Sequence, residues 1–151
     1  MKWSDVSVDG VWTIPIEKRE KGNAGTLVLP DLAVEIIKSR PRYDSNPYVF
    51  AGRSESHFGG FSKAKAAFDA KVPIPQWQLH DLRRTARSLM ARAGVRPDIA
   101  ERALGHVIKG VAGTYDRHSY KDEKADALRR VAGQLEKIIN PPVDNVINIA
   151  G

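Results

Sequence analysis

The N-terminal part of the chain contains two short β-type runs separated by a polar segment. Val11 to Ile16 is rich in β-branched and aromatic residues, as is typical of a strand, and Thr26 to Leu29 forms a second, shorter run of the same kind. The polar segment between them carries glycine and asparagine. This arrangement predicts a β-hairpin with a long tip.

The pattern then predicts two helices separated by a loop. The first helix begins at Pro30-Asp31, and the segment 40–60, rich in proline and glycine, is expected to be mostly loop, with at most one small strand at its short apolar run YVF. Ser62 is expected to cap the second helix, which runs to about Lys71. The apolar positions of the first helix are Leu32, Val34, Ile36 and Ile37.

The helical signal becomes stronger from Leu79 onward, and Gly94 ends that helix. His80, Arg83 and Arg87 lie near a common edge of it, because positions three and four apart are neighbours on a helix. Its predicted apolar stripe consists of Leu82, Ala86, Leu89, Met90 and Ala93.

Two more helices complete the pattern. Pro97 suits a first helical turn, and that helix runs to Leu104 with Gly105 as its C-terminal cap. The last helix extends from about Lys121 to Ile139. Its residues predicted to face inward are Ala125, Leu128, Val131, Ala132, Leu135 and Ile138.

Together these elements predict a mainly α-helical (α+β) fold with a small antiparallel hairpin near the N-terminus. We expect residues 1–140 to form one domain and residues 141–151 to form a partly apolar C-terminal tail. The tail is expected to pack either on its own domain or on a neighbouring protomer.

Composition narrows the class of protein. Of 151 residues, 42% are hydrophobic and 28% charged, which is ordinary for a soluble protein, and no run approaches the roughly 20 apolar residues of a membrane span. The absence of cysteine fits a reducing cytoplasm, and four scattered histidines give no reason to expect a metal. The net charge of +6 favours an anionic partner, and six arginines between Arg83 and Arg102 favour phosphate, which the guanidinium fork binds in pairs of hydrogen bonds.

Three short pieces carry candidate chemistry: His80 and Arg83 in HDLR, His106 in LGH, and Tyr115 in GTYDRHSY. Each alone has a structural explanation, such as a helix cap or a half-buried aromatic ring. A tyrosine hydroxyl has a pKa of about 10, so Tyr115 becomes a useful nucleophile only beside cations or a base. Arginine and histidine are the neighbours that such a site needs.

The order His-x-x-Arg, Leu-Gly-His and then Tyr resembles that of the tyrosine recombinases, or phage-type integrases. The segments HDLRRTARSLMARAGV, IAERALGH and YDRHSYKDEKADAL are similar to members of that family, and the hairpin region resembles the family's own β-hairpin. The resemblance implies a catalytic domain that breaks and rejoins DNA through a 3′-phosphotyrosyl intermediate, without metal or other cofactor.

The resemblance also implies a role for each residue. Tyr115 is the nucleophile, Arg83 binds the phosphate, and His80 and His106 supply hydrogen bonds and proton transfer. A hairpin lysine protonates the leaving 5′-oxygen; Lys21 is the first choice and Lys18 the alternative. Tyr120 is expected to have a packing role.

The family's second catalytic arginine lies upstream of the segment that Trp3-Ser4-Asp5-Val6 resembles, and these 151 residues do not include it. The resemblance therefore implies a partial catalytic domain, without the first helices and the N-terminal DNA-binding domains, that is nearly inactive alone. Its expected partners are double-stranded DNA at attachment sites, further protomers in a tetramer and accessory DNA-bending proteins. A DNA-binding remnant without catalysis and a type IB topoisomerase-like enzyme are the alternatives.

Overall fold

The computed structural model describes residues 1–15, 25–106 and 118–141. Across these ranges the chain forms a two-stranded antiparallel sheet near the N-terminus and five α-helices, which confirms the predicted mainly α-helical (α+β) class. The strands are β1 (Val11–Ile14) and β2 (Gly25–Val28). The helices are α1 (Asp31–Lys38), α2 (Phe61–Asp69), α3 (Leu79–Arg92), α4 (Pro97–Ala103) and α5 (Lys121–Ile139).

The two strands pair antiparallel, as the predicted hairpin requires. Val11 lies opposite Val28, and Ile14 lies opposite Gly25 at the end of the ladder. The strand β1 stops at Ile14, before Pro15, whose nitrogen has no hydrogen to donate to a ladder. The hairpin tip that was predicted to carry Lys21 or Lys18 lies outside the described residues.

Segment 40–60 forms no strand, and a buried side chain organises it instead. Asn46 is 4% exposed, and its amide nitrogen donates to the carbonyl oxygens of Ser54 and Ser56 at 2.6 and 2.9 Å. Its amide oxygen accepts from the backbone nitrogen of Tyr48 at 3.0 Å. This satisfied amide ties the loop together, while the backbone near the YVF run forms only isolated antiparallel bridges, between Tyr48 and Lys2 and between Ala51 and His57.

The start of α2 differs from the prediction. The helix begins at Phe61 and Gly60 is the N-cap residue, so Ser62 lies in the first turn and does not cap. The helix ends at Asp69, two residues before the predicted end, where the carboxylate accepts from Lys65 and from the indole nitrogen of Trp77.

The core lies where α3, α4 and α5 meet. Met90 is 1% exposed and Ala100 is 0% exposed, and both belong to one cluster with Leu89, Ala103 and Val131. Alanine at the contact allows α3 and α4 to approach closely, and α5 packs against both helices and against β2.

Two predicted core residues are exposed instead. Leu82 of α3 is 60% exposed and Ile138 of α5 is 59% exposed, although both fit the apolar periodicity of their helices. Periodicity identifies one side of a helix, but how far along the helix that side is covered depends on the neighbouring elements.

Truncation of a core side chain should therefore lower the free energy of unfolding much more than truncation of a side chain on the exposed face. We expect Met90→Ala to lower the free energy of unfolding by about 2–5 kcal/mol, because it removes buried contacts and leaves a cavity. Leu82→Ala, the control on the same helix, should cost less than about 1 kcal/mol. Urea unfolding measures both, and equal losses would contradict the assigned core.

Candidate functional site

The first turn of α3 is anchored by Asp81. Its carboxylate accepts from the backbone nitrogen of Gln78 at 2.8 Å and from Arg84 at 2.9 Å. The hydrogen bond from Gln78 and the nearby Arg84 guanidinium lower the pKa of Asp81, so the carboxylate stays charged beside the helix N-terminus. This anchor fixes the turn that carries His80 and leads to Arg83.

The end of α4 is a Schellman turn. The backbone nitrogen of His106 donates to the carbonyl of Glu101 at 2.9 Å, and that of Gly105 donates to Arg102 at 3.1 Å. Gly105 has φ +74°, the left-handed conformation that glycine adopts without a steric penalty. The Leu-Gly-His sequence therefore caps the helix and folds His106 back toward α3, and the predicted role of Gly105 is confirmed.

Arg83 reaches this turn from α3. Its Nη1 donates to the carbonyl oxygen of Leu104 and lies 3.2 Å from Nε2 of His106. The two predicted residues, 23 positions apart in the chain, are therefore in contact.

Glu101 joins His106 to α3 from the other side. One carboxylate oxygen accepts from Nδ1 of His106, and the other accepts from Nε of Arg87 at 2.8 Å. Both hydrogen bonds lower the pKa of Glu101, and the one from His106 has the larger effect. The site is thus a continuous chain of contacts, which runs Arg83, His106, Glu101, Arg87.

The arginines of this region differ in how their charge is balanced. Arg84, Arg87 and Arg96 each form an ion pair with a carboxylate, at 2.8–2.9 Å. Within the described part of the chain, Arg83 forms no such ion pair, and its hydrogen-bond partners are a carbonyl and an imidazole. Its charge therefore remains uncompensated by any close carboxylate there, as an anion-binding guanidinium requires.

Of the other predicted site residues, only His80 lies within the described ranges. His80 is exposed in the first turn of α3, three residues before Arg83, and its catalytic role stays a prediction. Tyr115 and both candidate lysines, Lys21 and Lys18, lie outside the described residues. The Arg102 guanidinium lies 4.2 Å from the ring centre of the half-buried Tyr120, and the packing role of this tyrosine stays a prediction.

Sequence reasoning did not assign Glu101 or its partnership with Arg87. The signal was nevertheless present, because Glu101 stands five residues before His106 across a glycine cap. A Schellman turn brings those two positions together, so an acidic residue there can meet the histidine.

The described ranges contain no candidate metal-binding group and no candidate membrane-spanning helix. No group of three or more histidine or acidic side chains within residues 1–15, 25–106 and 118–141 is arranged to hold a metal ion. Among the helices in the same ranges, none is both long and apolar enough to cross a membrane.

These observations define a mainly helical domain in which an arginine of α3 meets a histidine at the end of a glycine-capped helix. Residues 1–122 match the model of the Phage integrase family. Since the match covers most of the 151 residues, the chain belongs to the phage integrase family of tyrosine recombinases. Neither curated proteins nor solved structures gave a match.

The glycine cap provides a test of how the site is held. Gly105→Ala should lower the free energy of unfolding by about 1–2 kcal/mol, because a Cβ is disfavoured at positive φ. It should also weaken the contact between His106 and Arg83, seen as a shift of the His106 ring signals in NMR spectra.

Gly133→Ala in α5 is the matched control. A Cβ at Gly133 meets no atom within 4 Å, so alanine there should stabilise the helix by about 0.5–1 kcal/mol. Equal stability changes for the two variants would show that the turn at Gly105 is not strained by a side chain.

Proposed function

We propose that this chain is the catalytic part of a site-specific DNA recombinase, which cleaves and rejoins DNA through a 3′-phosphotyrosyl intermediate. One observation carries the proposal: Arg83 contacts His106 at 3.2 Å and is balanced by no close carboxylate within the described residues. Family membership over residues 1–122 supports the same reaction.

In the proposed reaction the Tyr115 oxygen attacks a backbone phosphate. A bond forms between this oxygen and phosphorus, and the bond from phosphorus to the 5′-oxygen breaks. The phenolic proton passes to a base, for which His80 and His106 are the candidates, and the leaving oxygen takes a proton from Lys21 or, alternatively, Lys18. The phosphotyrosyl bond retains the energy that rejoining needs.

Arg83 would stabilise the negative charge that develops on the phosphate oxygens. A guanidinium offers paired donors that match two such oxygens, and in the free protein the Arg83 group is held at the end of α4 by Leu104 and His106. Neither partner carries a negative charge, so exchanging them for a phosphate would replace hydrogen bonds to a carbonyl and an imidazole by an ion pair with an anion.

The proposed partner is double-stranded DNA at attachment sites, bound in the cytoplasm by several protomers, with a tetramer as the working form. Accessory DNA-bending proteins are further proposed partners. Residues 1–140 are the proposed catalytic unit and residues 141–151 its tail. The net charge of +6 supports an anionic partner.

Covalent capture tests the proposed chemistry. A nicked duplex, from which the cleaved end diffuses away, should trap the protein on DNA as an adduct that survives denaturation. Tyr115→Phe should abolish the adduct and leave DNA binding unchanged, because it removes only the attacking oxygen. Tyr120→Phe is the matched control and should retain the adduct.

We expect the 151-residue chain to give a low yield of the covalent adduct, because these residues do not include the family's second catalytic arginine. Loss of one preorganised donor typically costs about 10²–10³ in rate. Long incubation at excess protein makes that yield measurable. Salt-sensitive binding with no Tyr115-dependent adduct would instead favour a DNA-binding protein without catalysis.

Salt dependence tests the assignment of Arg83 as a phosphate ligand. Binding of the chain to duplex DNA should weaken steeply with salt, and Arg83→Ala should reduce the slope of log K against log salt by about 1. Arg96→Ala, at the opposite end of α4 and paired with Asp98, should change that slope less. Fluorescence anisotropy over a salt series measures both, and equal slopes for Arg83→Ala and the unmodified chain would contradict the assignment.

A further inference from the structure

His106 has one fixed partner on each ring nitrogen, and the chemistry of the two partners differs. Nε2 faces Nη1 of Arg83 at 3.2 Å, and a guanidinium can only donate hydrogen bonds. Nδ1 faces a carboxylate oxygen of Glu101, which when ionised can only accept. A neutral ring satisfies both partners in only one way, with the proton on Nδ1 and the lone pair on Nε2.

Glu101 is placed to enforce this arrangement. Its second carboxylate oxygen is held by Nε of Arg87 at 2.8 Å, and its own backbone carbonyl accepts from the His106 nitrogen at 2.9 Å. Both the carboxylate and the ring are therefore fixed relative to α3 and α4. The lowered pKa of Glu101 keeps it ionised at neutral pH, so it remains an acceptor.

We propose that Glu101 is a positioning residue of this site, which holds the His106 proton on Nδ1 and leaves Nε2 unprotonated, as a proton acceptor next to the position of the bound phosphate. The phosphate position beside Arg83 rests on the proposed function. The tautomer itself is a property of the free protein.

The proposal assigns the Glu101–His106 pair a part in the reaction. When Arg83 leaves His106 to bind phosphate, Nε2 loses its donor and presents a lone pair to the incoming groups. It can then accept a proton, and the Glu101 carboxylate stabilises the resulting imidazolium through Nδ1. Glu101 does not touch DNA in this scheme and acts only through His106.

Substitution of Glu101 by glutamine gives a specific test because Arg87 can only donate. In Glu101→Gln the amide oxygen must face Arg87, which leaves the amide NH₂ facing Nδ1 of His106. Nδ1 must then accept, so the proton moves to Nε2, and Arg83, which can only donate, must give up its contact with Nε2 and keep the Leu104 carbonyl alone. The variant should therefore reverse the tautomer while it preserves the shape of the side chain.

Nitrogen NMR of ¹⁵N-histidine-labelled protein, at a pH where the ring is neutral, identifies the protonated nitrogen directly. We expect Nδ1–H in the native chain, Nε2–H in Glu101→Gln, and Nδ1–H again in Glu101→Gln/Arg87→Met, where the amide is free to turn. Arg87→Met alone is the control and should keep Nδ1–H. If Glu101 served only to join α3 to α4, Arg87→Met would disturb the contact as well as Glu101→Gln. Neither variant would then reverse the tautomer of His106.

An Nε2–H tautomer in the native chain would overturn the proposal, as would unchanged Nδ1–H in a folded Glu101→Gln variant. The native measurement decides even if that variant does not fold. These spectra need neither DNA nor catalysis, so their failure is separate from a failed covalent capture, which would overturn only the proposed function.

Discussion

The close packing of α3 against α4 is the constraint on which the site depends. Met90 and Ala100 are almost completely buried at this contact, and Val131 of α5 covers the same cluster. Arg83 lies seven residues, about two turns, before Met90 and therefore on nearly the same side of α3. The packing that buries Met90 thus also directs Arg83 toward the end of α4, where Gly105 turns the chain and places His106.

Electrostatics then separate structural arginines from the one proposed to bind DNA. Arg84 and Arg96 are paired with aspartates close in sequence, and Arg87 is paired with Glu101 across the helix contact. Arg83 is held by a carbonyl and an imidazole, which carry no negative charge and so position its guanidinium without neutralising it. In the proposed function, such a group is ordered in the free protein and exchanges its partners for a phosphate.

Local sequence signals predicted most of the elements but not which side chains meet at the site. The bounds of α3 and α5 follow from apolar periodicity, and Gly105 marks the end of α4 because positive φ favours glycine. The contact of Arg83 with His106 was anticipated only through the family resemblance. Spacing alone does not place two residues of different helices together.

The parts that could not be predicted depend on partners distant in sequence. The exposure of Leu82 is set by which elements cover α3, and Asn46 organises its loop through carbonyls eight and ten residues away. Glu101 was missed because its role depends at once on a local turn and on Arg87 from another helix.

We propose that Arg83, and not its neighbours on α3, receives the DNA phosphate. Side-chain NMR of arginine-labelled protein during titration with a short duplex tests it most directly, with Arg87 as the internal reference one turn away. We expect the Arg83 guanidinium signals to shift as the contacts with Leu104 and His106 are exchanged for phosphate, while those of Arg87 stay in place on Glu101. Saturated binding with unchanged Arg83 signals would contradict the assignment of Arg83 as the phosphate ligand.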